Sequence, residues 1–197
     1  MGRFADLCRK YDCDKESSHR YGDAYDILLW PFEQLHPLKI LEIGIYKGAG
    51  LRALKEYFPQ AKIWAIDIDP AAVACAPEGV TAIRGDQSDT AMLQHLCQVT
   101  QPCGFDIIID DGSHMIAHQK ASFAALWPYI LVGGIYVIED LETSKSPRPR
   151  KYNPMGMETT LDMLLNMARN NVHWRGHDEK PPMLSFFREL CCIHKME

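Results

Sequence analysis

Two short apolar runs that end in acidic residues constrain the fold of this chain more than any other feature. Residues 105–114 read FDIIIDDGSH, and residues 135–140 read IYVIED. Apolar runs of this length with β-branched members are typical of strands buried on both faces of a parallel sheet. Ligands bind beyond the carboxyl ends of such strands, so we expect the polar side chains after both runs to line one crevice. These side chains are Asp110, Asp111, His114, Glu139 and Asp140.

The order of patterns along the chain predicts an α/β protein. Strand and helix patterns alternate from residue 38 to about residue 140. This alternation favours a doubly wound, mostly parallel sheet with helices on both faces. The predicted strands are Leu38–Ile43, Lys62–Ile68, Val80–Arg84, Phe105–Ile109 and Gly134–Glu139, and the predicted helices are Ala49–Tyr57, Thr90–Val99 and His114–Trp127.

The flanking segments complete a seven-stranded, Rossmann-like sheet. One helix is predicted over Asp23–Trp30, and Pro31 would end it. Another is predicted over Glu158–Asn170, where apolar residues recur at helical spacing. Met183–Phe187 and Leu190–Ile193 read as a closing antiparallel hairpin at one sheet edge.

We expect one domain over residues 1–197. Residues 1–37 would form a helical cap and residues 38–197 the cofactor-binding core, with 141–182 as a connection that contacts substrate or forms a lid. This length suffices for a single domain with a full core.

Composition and charge exclude several classes of function. The chain has 21 Lys and Arg against 26 Asp and Glu, a formal charge of -5, which gives no electrostatic reason to expect nucleic acid. No signal peptide is recognisable. Pro128 and Gly133-Gly134 divide the most apolar stretch into a predicted helix, turn and strand, so we expect no membrane span. Seven cysteines without zinc or redox spacing favour reduced thiols in a cytoplasmic protein.

A glycine-rich turn joins the first predicted strand to the first predicted helix. Residues 42–50 read EIGIYKGAG, in which Gly44 and Gly48 allow a tight turn and a close approach to a ligand. The spacing differs from the dinucleotide-binding pattern G-x-G-x-x-G. Glu42 would repel phosphates here, and we expect it to pair with a ligand's ammonium group. An ordinary strand-to-helix turn is the alternative.

Polar residues also follow the second and third predicted strands. Asp67 ends the second strand, where a carboxylate can accept both ribose hydroxyls of a nucleoside. Asp86 and Gln87 follow the third strand and can bond an adenine edge. The sequence therefore predicts a nucleoside-containing cofactor.

This combination resembles the class I S-adenosylmethionine-dependent methyltransferases, from Leu38 to Ile193. The DDGSH segment at 110–114 with Glu139-Asp140 is similar to the metal-dependent O-methyltransferases that methylate sugar hydroxyls on macrolides and related glycosides. It also resembles the cephalosporin-hydroxylase-like proteins, which share the acidic motif. Residues 14–21, DKESSHRY, resemble the amino-terminal signature of this group, which implies a cofactor contact by Tyr21.

The resemblance implies roles for the residues in the crevice. Asp111, Glu139 and Asp140 would hold Mg²⁺ or Mn²⁺, His114 would be the base, and Asp110 would lie near the cofactor. Such chemistry suits a neutral hydroxyl, because a divalent ion lowers its pKa and an imidazole accepts protons near neutral pH. We expect a small hydroxyl-bearing substrate and a homo-oligomer.

Structural explanations for the same residues remain open. Asp111 or Ser113 can cap the helix that follows, and His114 can be a solvated residue of its first turn. Glu139-Asp140 can be a polar strand end, and the basic loop 145–151 can be either a lid or a plain solvated loop. The alternative functions are an enzyme of different chemistry, like the cephalosporin hydroxylases, and a cofactor-binding protein without catalysis.

Overall fold

Strands and helices alternate through the middle of the chain, as the sequence predicts. The computed structural model describes residues 2–35, 37–100, 104–145, 149–172 and 180–196. Its contacts divide the chain into two compact units, Met1–Asp86 and Gln87–Glu197.

The first unit contains three parallel strands in the order β3-β2-β1. Its elements are α1 (Arg3–Lys10), α2 (Asp14–Ser17), α3 (Gly22–Leu29), a 3₁₀ turn (Trp30–Phe32), β1 (Lys39–Ile43), α4 (Ala49–Tyr57), β2 (Lys62–Asp67), α5 (Pro70–Val73) and β3 (Val80–Arg84).

A carboxylate of α3 caps the first turn of α1. No side chain at its own N-cap, Gly2, bonds the first turn of α1. Instead Asp26 of α3 accepts hydrogen bonds from the backbone N–H groups of Phe4 (2.7 Å) and Ala5 (3.4 Å). These contacts satisfy two of the N–H groups that a helix start leaves unpaired.

The second unit contains four strands in the order β4-β5-β7-β6. The pair β4 and β5 is parallel, whereas β7 runs antiparallel to both β5 and β6. Its elements are α6 (Thr90–Thr100), β4 (Phe105–Asp110), α7 (Ile116–Leu126), a 3₁₀ turn (Trp127–Tyr129), β5 (Ile130–Ile138), a 3₁₀ turn (Leu141–Ser144), α8 (Pro149–Tyr152), α9 (Thr160–Val172), β6 (Met183–Phe187) and β7 (Leu190–His194).

Strand β5 begins four residues earlier than predicted, because its two glycines lie inside the strand. A Cβ on Gly134 would stand 2.7 Å from the carbonyl oxygen of Asp106 on β4. Gly133 has φ +81° and donates its N–H to the carbonyl of Lys195. The pair therefore permits close strand approach at an irregularity in the β4–β5 register and does not form the predicted turn.

These elements confirm the predicted fold class, a mostly parallel seven-stranded α/β sheet with an antiparallel carboxy-terminal hairpin. The single-domain division stays a prediction. None of the described helices combines the length and the apolar character that a membrane crossing requires. Within the predicted basic loop, residues 146–148 lie outside the described residues.

Candidate active site

Three side chains converge beyond the carboxyl ends of β4 and β5. Asp111, His114 and Asp140 each offer a ligand atom, and these atoms all lie within 4.8 Å of one another. The Nε2 atom of His114 lies 3.4 Å from Oδ2 of Asp140. The strands are parallel neighbours, with Asp110 opposite Ile138, so the residues that follow them meet at one edge.

Two members of this cluster have unusual backbone conformations. His114 and Asp140 both have φ +57°, in the left-handed region. For a non-glycine residue this conformation costs on the order of 1 kcal/mol, and such strain concentrates at functional sites. The conformation of His114 also explains why α7 begins at Ile116 and not at His114 as predicted.

The charges of the cluster fit a divalent cation. Two carboxylates this close repel each other unless a proton or a cation lies between them. Within the described residues, the buried Nδ1 atom of His114 has no hydrogen-bond partner. Carboxylate oxygens are the ligands that Mg²⁺ and Mn²⁺ prefer, and the imidazole adds a nitrogen donor or a base.

The neighbouring residues Asp110 and Glu139 take different positions. Asp110 is fully buried, whereas Asp111 is partly exposed. The Glu139 side chain is also buried and is not among the three residues of the cluster. Its backbone is held on both sides, since its N–H donates to the carbonyl of Asp110 (3.1 Å) and its carbonyl accepts from Nε2 of Gln119 (3.0 Å). Metal binding by Glu139 stays a prediction.

The Asp110 carboxylate is the centre of a buried hydrogen-bond network. Its Oδ1 accepts from Nε2 of Gln87 (2.5 Å), and its Oδ2 accepts from the hydroxyls of Ser122 (2.5 Å) and Tyr136 (3.3 Å). Burial raises the pKa of Asp110 to about 6, against the lowering effect of the Ser122 and Gln87 hydrogen bonds. Burial likewise raises the pKa of Tyr136.

Gln87 connects this network to the turn after β4. Its Oε1 accepts the backbone N–H of Ser113 (2.9 Å), while its Nε2 also reaches the hydroxyl of Ser122 (3.2 Å). Ser113 in turn bonds Nδ1 of His118 (2.9 Å) and accepts the N–H of Met115 (3.3 Å). The amide expected to bond an adenine edge is therefore engaged inside the protein.

In the first unit, Asp67 holds the glycine-rich turn. Its Oδ2 accepts the backbone N–H groups of Ile45 (2.8 Å) and Tyr46 (3.2 Å), and its Oδ1 accepts that of Asp69 (2.9 Å). Gly44 and Gly48 have φ +97° and +72°, which is the tight turn that the sequence predicts. Asp86, the other predicted acid, is half-buried two residues after β3.

The ammonium group beside Glu42 belongs to the protein itself. Lys15 of α2 places Nζ 3.3 Å from Oε1 of Glu42, and both side chains are only 3% exposed. Gly50 leaves room for this ion pair, because a Cβ there would stand 3.1 Å from Cε of Lys15. Tyr21, also buried, stacks on His19 with ring centroids 5.1 Å apart.

Sequence reasoning missed the residues that support the site from α7. Gln119 and Ser122 are completely buried polar residues three positions apart on that helix. Gln119 bonds the carbonyl of Glu139 and accepts the hydroxyl of Thr160 (2.8 Å). The available signal was the spacing of Gln119 and Ser122, which places both polar side chains on one face of the helix. Lys15 carried no such signal beyond its place in the 14–21 segment.

Solved structures of one methyltransferase are similar to this chain in fold. The MycE methyltransferase of the mycinamycin pathway, in complex with Mg and SAH, matches with a TM-score of 0.83 and 29% identity over 99% of this chain and 55% of its own. The same enzyme with Mg, SAH and mycinamycin VI matches equally well. The predicted resemblance to class I S-adenosylmethionine-dependent O-methyltransferases is confirmed.

Curated proteins similar to this chain are O-methyltransferases. The mycinamicin VI 2''-O-methyltransferase of Micromonospora griseorubida is 38% identical over 71% of this chain and 38% of its own length. A rhamnosyl tetracenomycin-C 2'-O-methyltransferase of Streptomyces olivaceus is 36% identical over 73% of this chain and 39% of its own length. The chain thus spans about four-tenths of the length of these relatives. No family profile matches it.

Proposed function

We propose that the protein is an S-adenosylmethionine-dependent and divalent-metal-dependent O-methyltransferase that methylates a hydroxyl of a sugar or another natural product. The convergence of Asp111, His114 and Asp140 carries the proposal. The relatives support the substrate class, because their names specify O-methylation of mycinamicin VI and of a rhamnosyl tetracenomycin-C.

The residues of the second unit supply the acceptor chemistry. Asp111 and Asp140, with Glu139 as the third predicted ligand, would hold the ion and orient the hydroxyl beside it. His114 would take the hydroxyl proton at Nε2, where Asp140 lies 3.4 Å away and stabilises the imidazolium charge. When bound, S-adenosylmethionine supplies an activated methyl group and the divalent ion lowers the pKa of the hydroxyl.

The residues of the first unit would bind the cofactor. Gly44 and Gly48 shape a turn that a ligand can approach closely, and Asp67 fixes that turn while offering acceptors to ribose. Tyr21 and Asp86 complete the proposed set. A cofactor contact by Glu42 stays a prediction, since this side chain pairs with Lys15. A direct cofactor contact by Gln87 or Asp110 stays a prediction, since both side chains bond within the protein.

An assay for methyl transfer tests the proposal. The purified protein is incubated with S-adenosylmethionine, Mg²⁺ and rhamnosyl or macrolide glycosides, and S-adenosylhomocysteine and the methylated product are quantified. We expect chelation to abolish turnover and His114→Ala to lower it by ~10²–10⁴-fold. His95→Ala, on the exposed face of α6, is the matched control and keeps full turnover.

The rival functions give other outcomes in this assay. S-adenosylmethionine binding without transfer to any acceptor would indicate a binding protein. Oxidative chemistry of the non-haem iron type uses two histidines and one carboxylate, whereas the described cluster has one histidine and two carboxylates. A cytoplasmic homo-oligomer is part of the proposal, and light scattering of the purified protein tests its assembly.

A further inference from the structure

We propose that Gln87 is a positioning residue that sets the Asp111–His114 turn in place for metal binding. The inference rests on the proposed function of the cluster. It assigns to Gln87 a role different from the adenine contact that its place after β3 predicts.

The first step is the chemistry of the bridge. The side-chain amide of Gln87 joins a hydrogen-bond acceptor to a hydrogen-bond donor. Its Nε2 donates to Oδ1 of Asp110, and its Oε1 accepts the backbone N–H of Ser113. Glutamine satisfies both because its amide is donor and acceptor at once. A carboxylate or a hydrocarbon at this position satisfies at most one of them.

The second step is the rigidity of the Asp110 network, to which Gln87 is bonded. Gln87 is only 6% exposed, and Asp110 is fully buried with further hydrogen bonds from Ser122 and Tyr136. The bridge thus fixes the Ser113 N–H to a network held by β4, β5 and α7. Buried polar networks that are fully satisfied rigidify their surroundings.

The third step is the location of the turn. Ser113 lies between Asp111 and His114, two of the three residues whose ligand atoms converge. His114 has φ +57°, a conformation that persists only where neighbouring contacts hold it. The hydrogen bond to Ser113 therefore acts on the ligand positions through the backbone, as groups that orient metal ligands do.

Metal and cofactor binding are measured separately to test the proposal. Mn²⁺ is titrated into the full chain with free Mn²⁺ followed by electron paramagnetic resonance, and S-adenosylhomocysteine binding is followed by calorimetry. We expect Gln87→Met, which keeps the length and loses both contacts, to weaken Mn²⁺ binding about 10–100-fold. S-adenosylhomocysteine affinity should not change.

A reciprocal exchange distinguishes positioning from general destabilisation. Gln87→Glu places a second carboxylate beside Asp110 and should weaken Mn²⁺ binding as Gln87→Met does. Adding Asp110→Asn restores a donor–acceptor bridge of reversed polarity, while the amide oxygen still accepts from Ser122 and Tyr136. The double variant should recover most of the lost Mn²⁺ affinity.

The other outcomes overturn the proposal in distinguishable ways. Loss of S-adenosylhomocysteine binding with unchanged Mn²⁺ binding would show that Gln87 contacts the cofactor. Unchanged binding of both, or a double variant no better than Gln87→Glu, would remove the positioning role. Failure of the wild-type chain to bind Mn²⁺ would instead refute the metal dependence in the proposed function.

Discussion

The polar residues of the two units differ in what they bind. In the first unit, Asp67 accepts three backbone N–H groups and Glu42 pairs with the ammonium of Lys15. In the second, Asp111 and Asp140 approach each other around a histidine whose buried Nδ1 has no hydrogen-bond partner among the described residues.

This difference separates residues that shape a binding loop from residues that hold charge for a ligand. Internal pairs such as Lys15–Glu42 contribute to the fold before any ligand arrives. The carboxylates of Asp111 and Asp140 repel each other, and a cation that binds between them removes this repulsion. Substitutions of Lys15 or of the glycine-rich turn should therefore lower the stability of the ligand-free protein. Substitutions in the cluster of Asp111, His114 and Asp140 should instead lower the stabilisation that Mg²⁺ gives.

The largest effect on stability is expected for Lys15→Met. This variant removes the ammonium 3.3 Å from the Glu42 carboxylate, in surroundings where both side chains are 3% exposed. Breaking a buried ion pair from one side costs about 3–5 kcal/mol. Urea unfolding of the ligand-free protein measures the loss.

Two variants check the cause of that loss. Adding Glu42→Gln removes the uncompensated charge and should recover much of the stability. Lys10→Met removes another Lys–Glu pair, with Glu56, on the exposed surface and should change stability little. Equal losses for Lys10→Met and Lys15→Met would contradict the distinction between buried and exposed pairs.

Gly48→Ala should produce the next largest effect. Gly48 has φ +72°, and a Cβ there would stand 2.4 Å from the carbonyl oxygen of Cys75. Left-handed strain and the clash together should cost about 2–4 kcal/mol of unfolding free energy. Gly133→Ala is the matched control, because its φ is +81° and a Cβ there would have no heavy atom of the described residues within 4 Å beyond its chain neighbours. This variant should show the strain alone. Equal losses would exclude the clash as a cause.

The fold was predictable from the sequence because its strands are short apolar runs bounded by polar residues. The limits of β3 and β6 agree with prediction at both ends. The start of β5 was wrong because a glycine pair marks either a turn or a close strand approach, and only the neighbour on β4 decides between them. The Asp26 cap of α1 spans 22 residues, beyond the reach of local patterns.

The site was predictable only as a set of residue types. That acids follow β4 and β5 is visible in the sequence, as is the position of His114 three residues after Asp111. The sequence does not show that Asp111 and Asp140, and not their neighbours, join the cluster. That choice depends on the backbone conformation of Asp140 and on the burial of Asp110. Lys15 beside Glu42 could not be foreseen, because 27 positions of chain separate them.

Asp111→Asn should leave the ligand-free protein as stable as the wild type, since it relieves repulsion with Asp140. Its effect should appear on adding Mg²⁺. At a concentration near 100 times the dissociation constant, the ion should stabilise the wild type by about 2.7 kcal/mol, and the variant should lose most of this gain. Thermal unfolding with and without Mg²⁺ measures both quantities. A variant that is destabilised without Mg²⁺ would place Asp111 with the structural carboxylates.

The smallest effect is expected on the rates of thiol alkylation. These rates show which cysteines Mg²⁺ protects. Cys75 is exposed and should react first with iodoacetamide at pH 8. Burial raises the pKa of Cys191 to about 12, and of Cys97 to about 12, so both stay protonated and react only when the protein opens. Cys191 pairs in register with Ile138 at the end of β5, so Mg²⁺ should slow its alkylation while leaving that of Cys75 unchanged. Mass spectrometry of the labelled peptides measures these rates. Equal slowing at Cys75, which is exposed in the folded protein, would show that Mg²⁺ does not act by suppressing the opening around Cys191.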